Sequence, residues 1–382
     1  MSNNIESHGI QQFEGGRRVS FGNFTVLDLH GSWKQMGRQY GALASPQING
    51  MYRRAIDEKL LGGKQRTRED AERIAREFYK NYPYRLRQIL EGMAETSGLD
   101  VPRHILLNAV EVVVADKLWD SRGGSVFPAQ CTSIAVWGDY TSGPLIFGRN
   151  YDYFEWFRAM GEYLTIAVYH PCDGSLATAT IGYPGTVYMT TGINERGIFL
   201  ELNNGEPSGG ALQYHNRVPA IAELFTFLLD SPDLDQLESF FHATRSNFAY
   251  IVGTADDQSS RCFEWPVFDV KRRLSARRPG LMVATNHFTE LSWGLPRPDD
   301  EKFWWTRSRR QNLLNLAEHF KGNIDVPRMK KILNTRLEDL GATTSGTVYQ
   351  VIAVPGRMEL SLKIPEMTDW TDIPIGGFLR TE

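Results

Sequence analysis

Cys131-Thr132-Ser133-Ile134-Ala135-Val136-Trp137 is an apolar run that opens on a thiol. It is followed by Gly138-Asp139-Tyr140-Thr141-Ser142-Gly143 and then by Pro144-Leu145-Ile146-Phe147-Gly148-Arg149-Asn150-Tyr151-Asp152. Two such runs around a turn-rich stretch read as a β-hairpin with its turn over Asp139 to Gly143. Pairing Trp137 with Pro144 sets Asn150 opposite Cys131 and brings Arg149 and Asp152 beside the sulfur.

A thiol at the start of a strand has two readings. As a small apolar side chain, Cys131 fills space in a core. As a nucleophile it needs assistance, because an ordinary thiol titrates near ~8.5 and is only partly ionised at neutral pH. The Arg149 guanidinium favours the thiolate. Cutting the Gln130-Cys131 bond frees an α-amino group, with a reference pKa of about 8, on the same residue. That amine can take the thiol proton and return it to a leaving group, and Asp152 suits its anchor. Alone, Arg149 reads as a surface ion-pair residue and Asp152 as a turn cap.

Further along lie Gly192-Ile193-Asn194-Glu195-Arg196-Gly197 and Ala284-Thr285-Asn286-His287, and upstream Gly31-Ser32-Trp33-Lys34-Gln35-Met36-Gly37-Arg38-Gln39-Tyr40-Gly41. Taken in order with the hairpin, these strings resemble the N-terminal-nucleophile cysteine hydrolases of the acyl-CoA:isopenicillin N acyltransferase and choloylglycine hydrolase group. That group acts on linear amide C-N bonds and includes penicillin V acylase, acid ceramidase and N-acylethanolamine amidase. The likeness runs from about residue 25 to about residue 365. The 130 residues before the cysteine favour the acyltransferase and ceramidase branch, whose members cut themselves. Gln130 departs from the commonest residue before the cut.

The resemblance implies an α+β fold, a four-layer αββα sandwich with an N-terminal helical presegment. Residues 1–130 would be the presegment, packed on the core, and 131–382 the catalytic core. It implies catalytic roles for Cys131, Arg149, Asp152, Asn194, Asn286 and Arg309, with autocleavage between Gln130 and Cys131. Arg307 and Arg310 compete with Arg309, and a solvated basic helix face is the plainer reading of all three. Asn194 sits in a string that also reads as a positive-φ turn; its amide equally suits an oxyanion hole. His287 invites a rival scheme, a Cys131–His287 pair oriented by Asn286, although in papain-like proteins the cysteine opens a helix. The aromatic run Tyr151, Tyr153, Phe154, Trp156 and Phe157 reads as core or as an acyl pocket.

The function expected is an autoprocessed amidohydrolase or acyltransferase that moves the acyl group of a linear non-peptide amide through a Cys131 thioester. The alternatives are an amide-forming acyltransferase that uses acyl-CoA and an inactive precursor that binds an acylated ligand. The expected partner is a small acylated amine; composition agrees. A net charge of -3 gives no basic field for nucleic acid or an anionic membrane. Residues 1–16 lack an apolar signal core, no apolar run approaches a membrane span, and three unpaired cysteines suit a reducing compartment, so a cytoplasmic protein is expected. Cys172 and Cys262 read as structural. No metal-ligand spacing, P-loop or dinucleotide fingerprint occurs, so no cofactor is expected. Oligomeric state is not written in the sequence.

Capping and breaker residues lay out the rest. Ser32 opens a helix carrying Met36, Tyr40 and Leu43, which Pro46 kinks or splits before Gly62-Gly63 ends it. Thr67 with Asp70 opens another, which Pro83 divides and Gly98 stops, and Arg103 to Trp119 is a buried helix. One short strand is expected earlier, at Val19 to Leu29. Beyond residue 120, strands are expected at 163–170, 175–182, 186–191, 197–203, 249–253, 261–265, 280–284, 347–354 and 358–364. Helices are expected at 219–229, 234–244, 300–320 and 326–333.

Overall fold

The Cys131 hairpin forms, one residue away from the expected register. A computed structural model describes residues 11–63, 66–114, 131–153, 155–205, 207–210, 212–213, 217–273 and 278–380. In it strand Thr132–Val136 pairs antiparallel with strand Ile146–Asp152, with Thr132 opposite Asn150 and Ser133 opposite Arg149. The slip arises because Gly138–Tyr140 turns as a 3-10 segment and the ladder closes at Val136 and Ile146, leaving Pro144 and Leu145 outside it. Side chains alternate along a strand, so one residue of slip exchanges the faces. Continued to the thiol, the register sets Tyr151 opposite Cys131 and puts Arg149 on the same face as the sulfur. The expected pairing would have put it on the other.

This hairpin is the centre of a six-stranded sheet, in the order Leu281–Ala284, Thr132–Val136, Ile146–Asp152, Thr347–Val354, Glu359–Lys363 and Thr371–Ile373. A ten-stranded sheet lies against it, and the core fills the space between. Phe147 and Phe199 pack across the gap at a tilt, with ring centroids 4.9 Å apart, and Arg149 reaches the Leu202 carbonyl at 2.6 Å. Helices Thr306–His319 and Val326–Asn334 cover the outside of the smaller sheet, where Leu313, Met329 and Leu333 bury Ile134, Ile146 and Ile352. Helices Trp33–Leu43 and Ala220–Asp230 cover the larger sheet; Phe225 packs on Trp33 and on Tyr169. The layer order is helix, sheet, sheet, helix, as expected.

Local chemistry accounts for the helical part before residue 114. Ser32 makes a full capping box with Gln35 at the start of Trp33–Leu43. Thr67 accepts from the Asp70 amide to open Arg68–Lys80, and Pro83 precedes Tyr84–Thr96. Helices Trp33–Leu43 and Tyr84–Thr96 touch through glycine. A Cβ on Gly37 would lie 2.2 Å from the Ile89 carbonyl oxygen, and one on Gly92 2.2 Å from the Lys34 carbonyl oxygen.

The described segment before the thiol is mostly helical, as expected, but the expectation of one short strand in it needs correction. It supplies three strands of the ten-stranded sheet, Gln12–Phe13, Gly16–Phe21 and Phe24–Gly31. The last runs parallel to Thr165–Pro171 along seven residue pairs. The single strand expected at Val19 to Leu29 is a tight hairpin around Gly22, whose φ of +56° favours glycine. The strand expected at 186–191 begins only at Thr191. No described helix is long and apolar enough to cross a membrane.

Candidate active site

Cys131 sits just before strand Thr132–Val136, 3% exposed, its Sγ 3.4 Å from the Asp152 carbonyl oxygen. Burial pushes the thiol up to about 11; Arg149 opposes that and Asp152 adds to it. A thiol in that state is a weak nucleophile at neutral pH, and any nucleophilic use of it would need a proton acceptor close to the sulfur. Gln130, the other half of the expected cut, lies outside the described residues.

Arg149 is fully buried between the sheets. Its guanidinium donates to the Thr190 and Leu202 carbonyls and to the Thr191 hydroxyl, and faces Glu201 across an ion pair of 3.4 Å. It also lies over the Tyr151 ring, 5.2 Å from the centroid. Burial raises the Glu201 carboxyl to about 7, with Arg149 the main opposing influence. Beside them Asn203 donates to Glu201 at 3.0 Å and to Ser133 at 3.4 Å, and its Oδ1 is buried with no hydrogen-bond partner among the described residues. Neither Glu201 nor Asn203 was among the expected site residues. The sequence signal was there, two polar side chains alternating in the otherwise apolar Phe199-Leu200-Glu201-Leu202-Asn203 strand.

Asp152 closes the other side. It is fully buried, and the Thr347 hydroxyl on the neighbouring strand approaches the carboxylate without reaching full hydrogen-bond geometry. Burial lifts its pKa to about 7, offset in part by Arg309, by Thr347 opposite it on the next strand, and by Arg149. A buried carboxyl short of hydrogen-bond donors favours its neutral form unless a positive group comes beside it. The sign for stability follows. Because the folded value lies above the ordinary 3.8, the neutral form is favoured on folding. The contribution is full below about pH 4 and is lost as pH rises through about 7. In the uncut chain, Asp152→Asn is therefore expected to flatten the decline of stability between pH 5 and pH 8, on the order of a few kcal/mol. Urea denaturation across that range checks it.

Arg309 and Asn286 meet behind the thiol. Arg309 donates to the Cys131 carbonyl at 3.1 Å, to Asn286 Oδ1 at 2.9 Å and to the Trp304 carbonyl at 2.8 Å. Asn286 donates to the Asn204 carbonyl at 2.8 Å, tying the two sheets together. Burial lowers the Arg309 guanidinium to about 10, against the pull of Asp152 and Cys131. Of the three arginines on this helix, Arg309 alone points inward; Arg307 is exposed and Arg310 half-buried.

Asn194 is a correction. Its amide donates to the Leu228 and Ser231 carbonyls and accepts from the Arg196 and Ile198 amides. All four bonds fix the turn into the Phe199–Asn204 strand, leaving no donor for an oxyanion. Asn194→Ala is expected to cost about 2–4 kcal/mol of stability, read as a lower denaturation midpoint, while kcat/KM of the folded fraction changes less than about threefold.

His287 does not fit the rival scheme. Its Nδ1 lies 3.1 Å from each of the Thr285 and Thr306 hydroxyls, and burial together with four nearby arginines drops its pKa to about 3. A ring that hard to protonate is a poor partner for a thiolate–imidazolium pair. Tyr151, Tyr153 and Phe157 are core, packed with Tyr183 and Tyr349; Phe154 and the Trp156 side chain lie outside the described residues. Glu111, from the segment before the thiol, reaches this cluster and accepts from Tyr151 at 3.0 Å and Tyr188 at 2.7 Å. Cys262 is buried and Cys172 exposed, both as free thiols.

One group among the described residues has donors close enough for a metal ion, Asp28 with His30 and His170. Both imidazoles already approach one Asp28 oxygen, at 3.1 and 3.0 Å, and Arg17 holds the other at 2.6 Å. The rings stack nearly parallel, 4° apart. Parallel rings do not converge on one ion, so the group reads as a hydrogen-bonded clasp between the parallel strands.

No family model and no curated protein matches this chain. Solved structures with a similar chain trace include a Caenorhabditis elegans ortholog of N-acylethanolamine-hydrolyzing acid amidase, 16% identical over 59% of this chain and 93% of that one, with a TM-score of 0.47. A mutant conjugated bile acid hydrolase from Clostridium perfringens is 13% identical over 64% and 92%, with a TM-score of 0.46. Penicillin V acylase from Agrobacterium tumefaciens is 10% identical over 63% and 84%, with a TM-score of 0.43.

Proposed function

We propose that this protein cuts itself between Gln130 and Cys131 and then uses Cys131 to remove or transfer the acyl group of a linear non-peptide amide. The observation that carries the reading is the pairing of a buried thiol with a buried carboxylate that no donor among the described residues satisfies in full hydrogen-bond geometry. Asp152 then anchors the new α-amino group, and the ammonium it becomes on taking a proton, while Arg149 favours negative charge on sulfur. The neutral α-amine takes the thiol proton as the sulfur attacks the amide carbon. The tetrahedral adduct collapses to a thioester, and the amine leaves with that proton. Water or an amine attacks the thioester carbon next, and the thiol re-forms. Asn286, held to the Cys131 carbonyl through Arg309 and spending one amide hydrogen on the Asn204 carbonyl, is the amide this scheme uses to polarise the reacting carbonyl. Water and amine as acceptors share every residue of this scheme.

The test is turnover on a panel of N-acyl amides: penicillin V, conjugated bile salts, N-acylethanolamines, ceramide and N-acyl amino acids. It is read together with intact mass under denaturing conditions. Two chains, residues 1–130 and 131–382, and acid release from at least one amide support the reading. An active protein that remains one chain overturns it.

A further inference from the structure

Next to Asn286, the chain passes through His287 into the wall of a cavity of about 550 Å³, also lined by Arg297, Asp300, Arg307 and Arg310. Its carboxylates are engaged. Asp300 accepts from the Arg307 and Ser308 amides and from the Ser308 hydroxyl. Glu290, at the rim, accepts from the Ser292 amide and lies 3.6 Å from Lys271. The three guanidinium groups are not engaged: none makes a hydrogen bond or ion pair with a described residue. Arg310 is half-buried, and its Nε is shut away from water with no partner. The positive field of Arg273 reaches it as well. A cation withdrawn from water with no anion against it costs several kcal/mol, and planar guanidinium groups match the oxygen pairs of carboxylate and phosphate.

We propose that this cavity binds an anionic group of the substrate, a carboxylate or a phosphate, through Arg310, Arg307 and Arg297. The role rests on the acyl-transfer reading of Cys131, because Asn286 joins the cavity wall to the Arg309–Cys131 contact. The anion has two possible sources, a carboxylate on the amine half of the amide or the phosphates of a thioester acyl donor.

Inorganic phosphate titrated into the full chain by calorimetry is expected to bind saturably. Arg310→Gln and the exposed Arg307→Gln are each expected to weaken it about tenfold or more. No saturable binding, or equal binding by both folded variants, overturns the proposal. Two kinetic arms then separate the sources. With an amine-borne carboxylate, wild type favours an N-acylglycine over the matching N-acylethanolamine about tenfold or more in kcat/KM. Arg310→Gln erases that preference, the N-acylglycine losing about tenfold or more relative to the N-acylethanolamine. With a phosphate-bearing donor, the same contrast appears between an acyl-CoA and an acyl-N-acetylcysteamine. Phosphate binding in a protein that turns over no amide sinks the acyl-transfer reading and leaves the anion site standing. Amide turnover without anion binding does the reverse.

Discussion

Cys131→Ala is expected to remain a single 382-residue chain and to lose acyl turnover by roughly ten-thousand-fold or more. The same sulfur serves twice in the proposed scheme, first against the Gln130 carbonyl and then against the substrate, so its removal stops both steps. Burial holds the thiol near 11 in the uncut chain. At pH 8 that leaves about a hundredth of the thiolate carried by a thiol at the ordinary 9.0. Iodoacetamide should therefore label the processed protein far faster than a precursor kept whole at Gln130. A cut or active Cys131→Ala protein ends the scheme. Cys131→Ser, with a less acidic hydroxyl, is expected to cut slowly, and its time course separates a chemical defect from a folding one.

Arg149→Leu should be the most damaging change to stability in the site, about 3–5 kcal/mol, because it leaves Glu201 buried without its counter-charge. Glu201 already sits at about 7, above the ordinary 4.5, so folding favours its neutral form. That contribution is complete below about pH 4.5 and lost as pH rises through about 7. Without Arg149 the carboxyl moves higher still, and the penalty should grow from pH 5 to pH 8. Replacing Glu201 as well, in Arg149→Leu/Glu201→Leu, should return part of the loss and flatten the pH dependence. Urea midpoints for the four proteins of this cycle give the coupling directly. If the loss in the double variant equals the sum of the two single losses, the two charges do not depend on each other.

Local signals carried much of the fold because they act within a few residues. Ser32, Thr67 and Pro83 mark helix starts whatever else the chain does. The hairpin around Cys131 was legible for the same reason, and the neighbourhood of Cys131, Arg149 and Asp152 survived a slipped register because both strands are short. Contacts between sheets left no such local trace. Arg149 meets Glu201, and Ser133 meets Asn203, only because two sheets stack, and the spacing of residues along one strand does not encode that. Asn194 misled for the converse reason, since a turn and an oxyanion hole ask for the same side chain. The strands between residues 12 and 31 were underread because their partner, Thr165–Pro171, lies far along the chain.

That parallel partnership bears on the life of the protein after a cut. Seven rungs of backbone ladder join the chain on either side of Cys131, so a nick before the thiol would divide the polymer without dividing the molecule. The fragments should migrate together on a sizing column and separate only in denaturant. A catalytic fragment made alone would present a raw sheet edge, a ready template for aggregation.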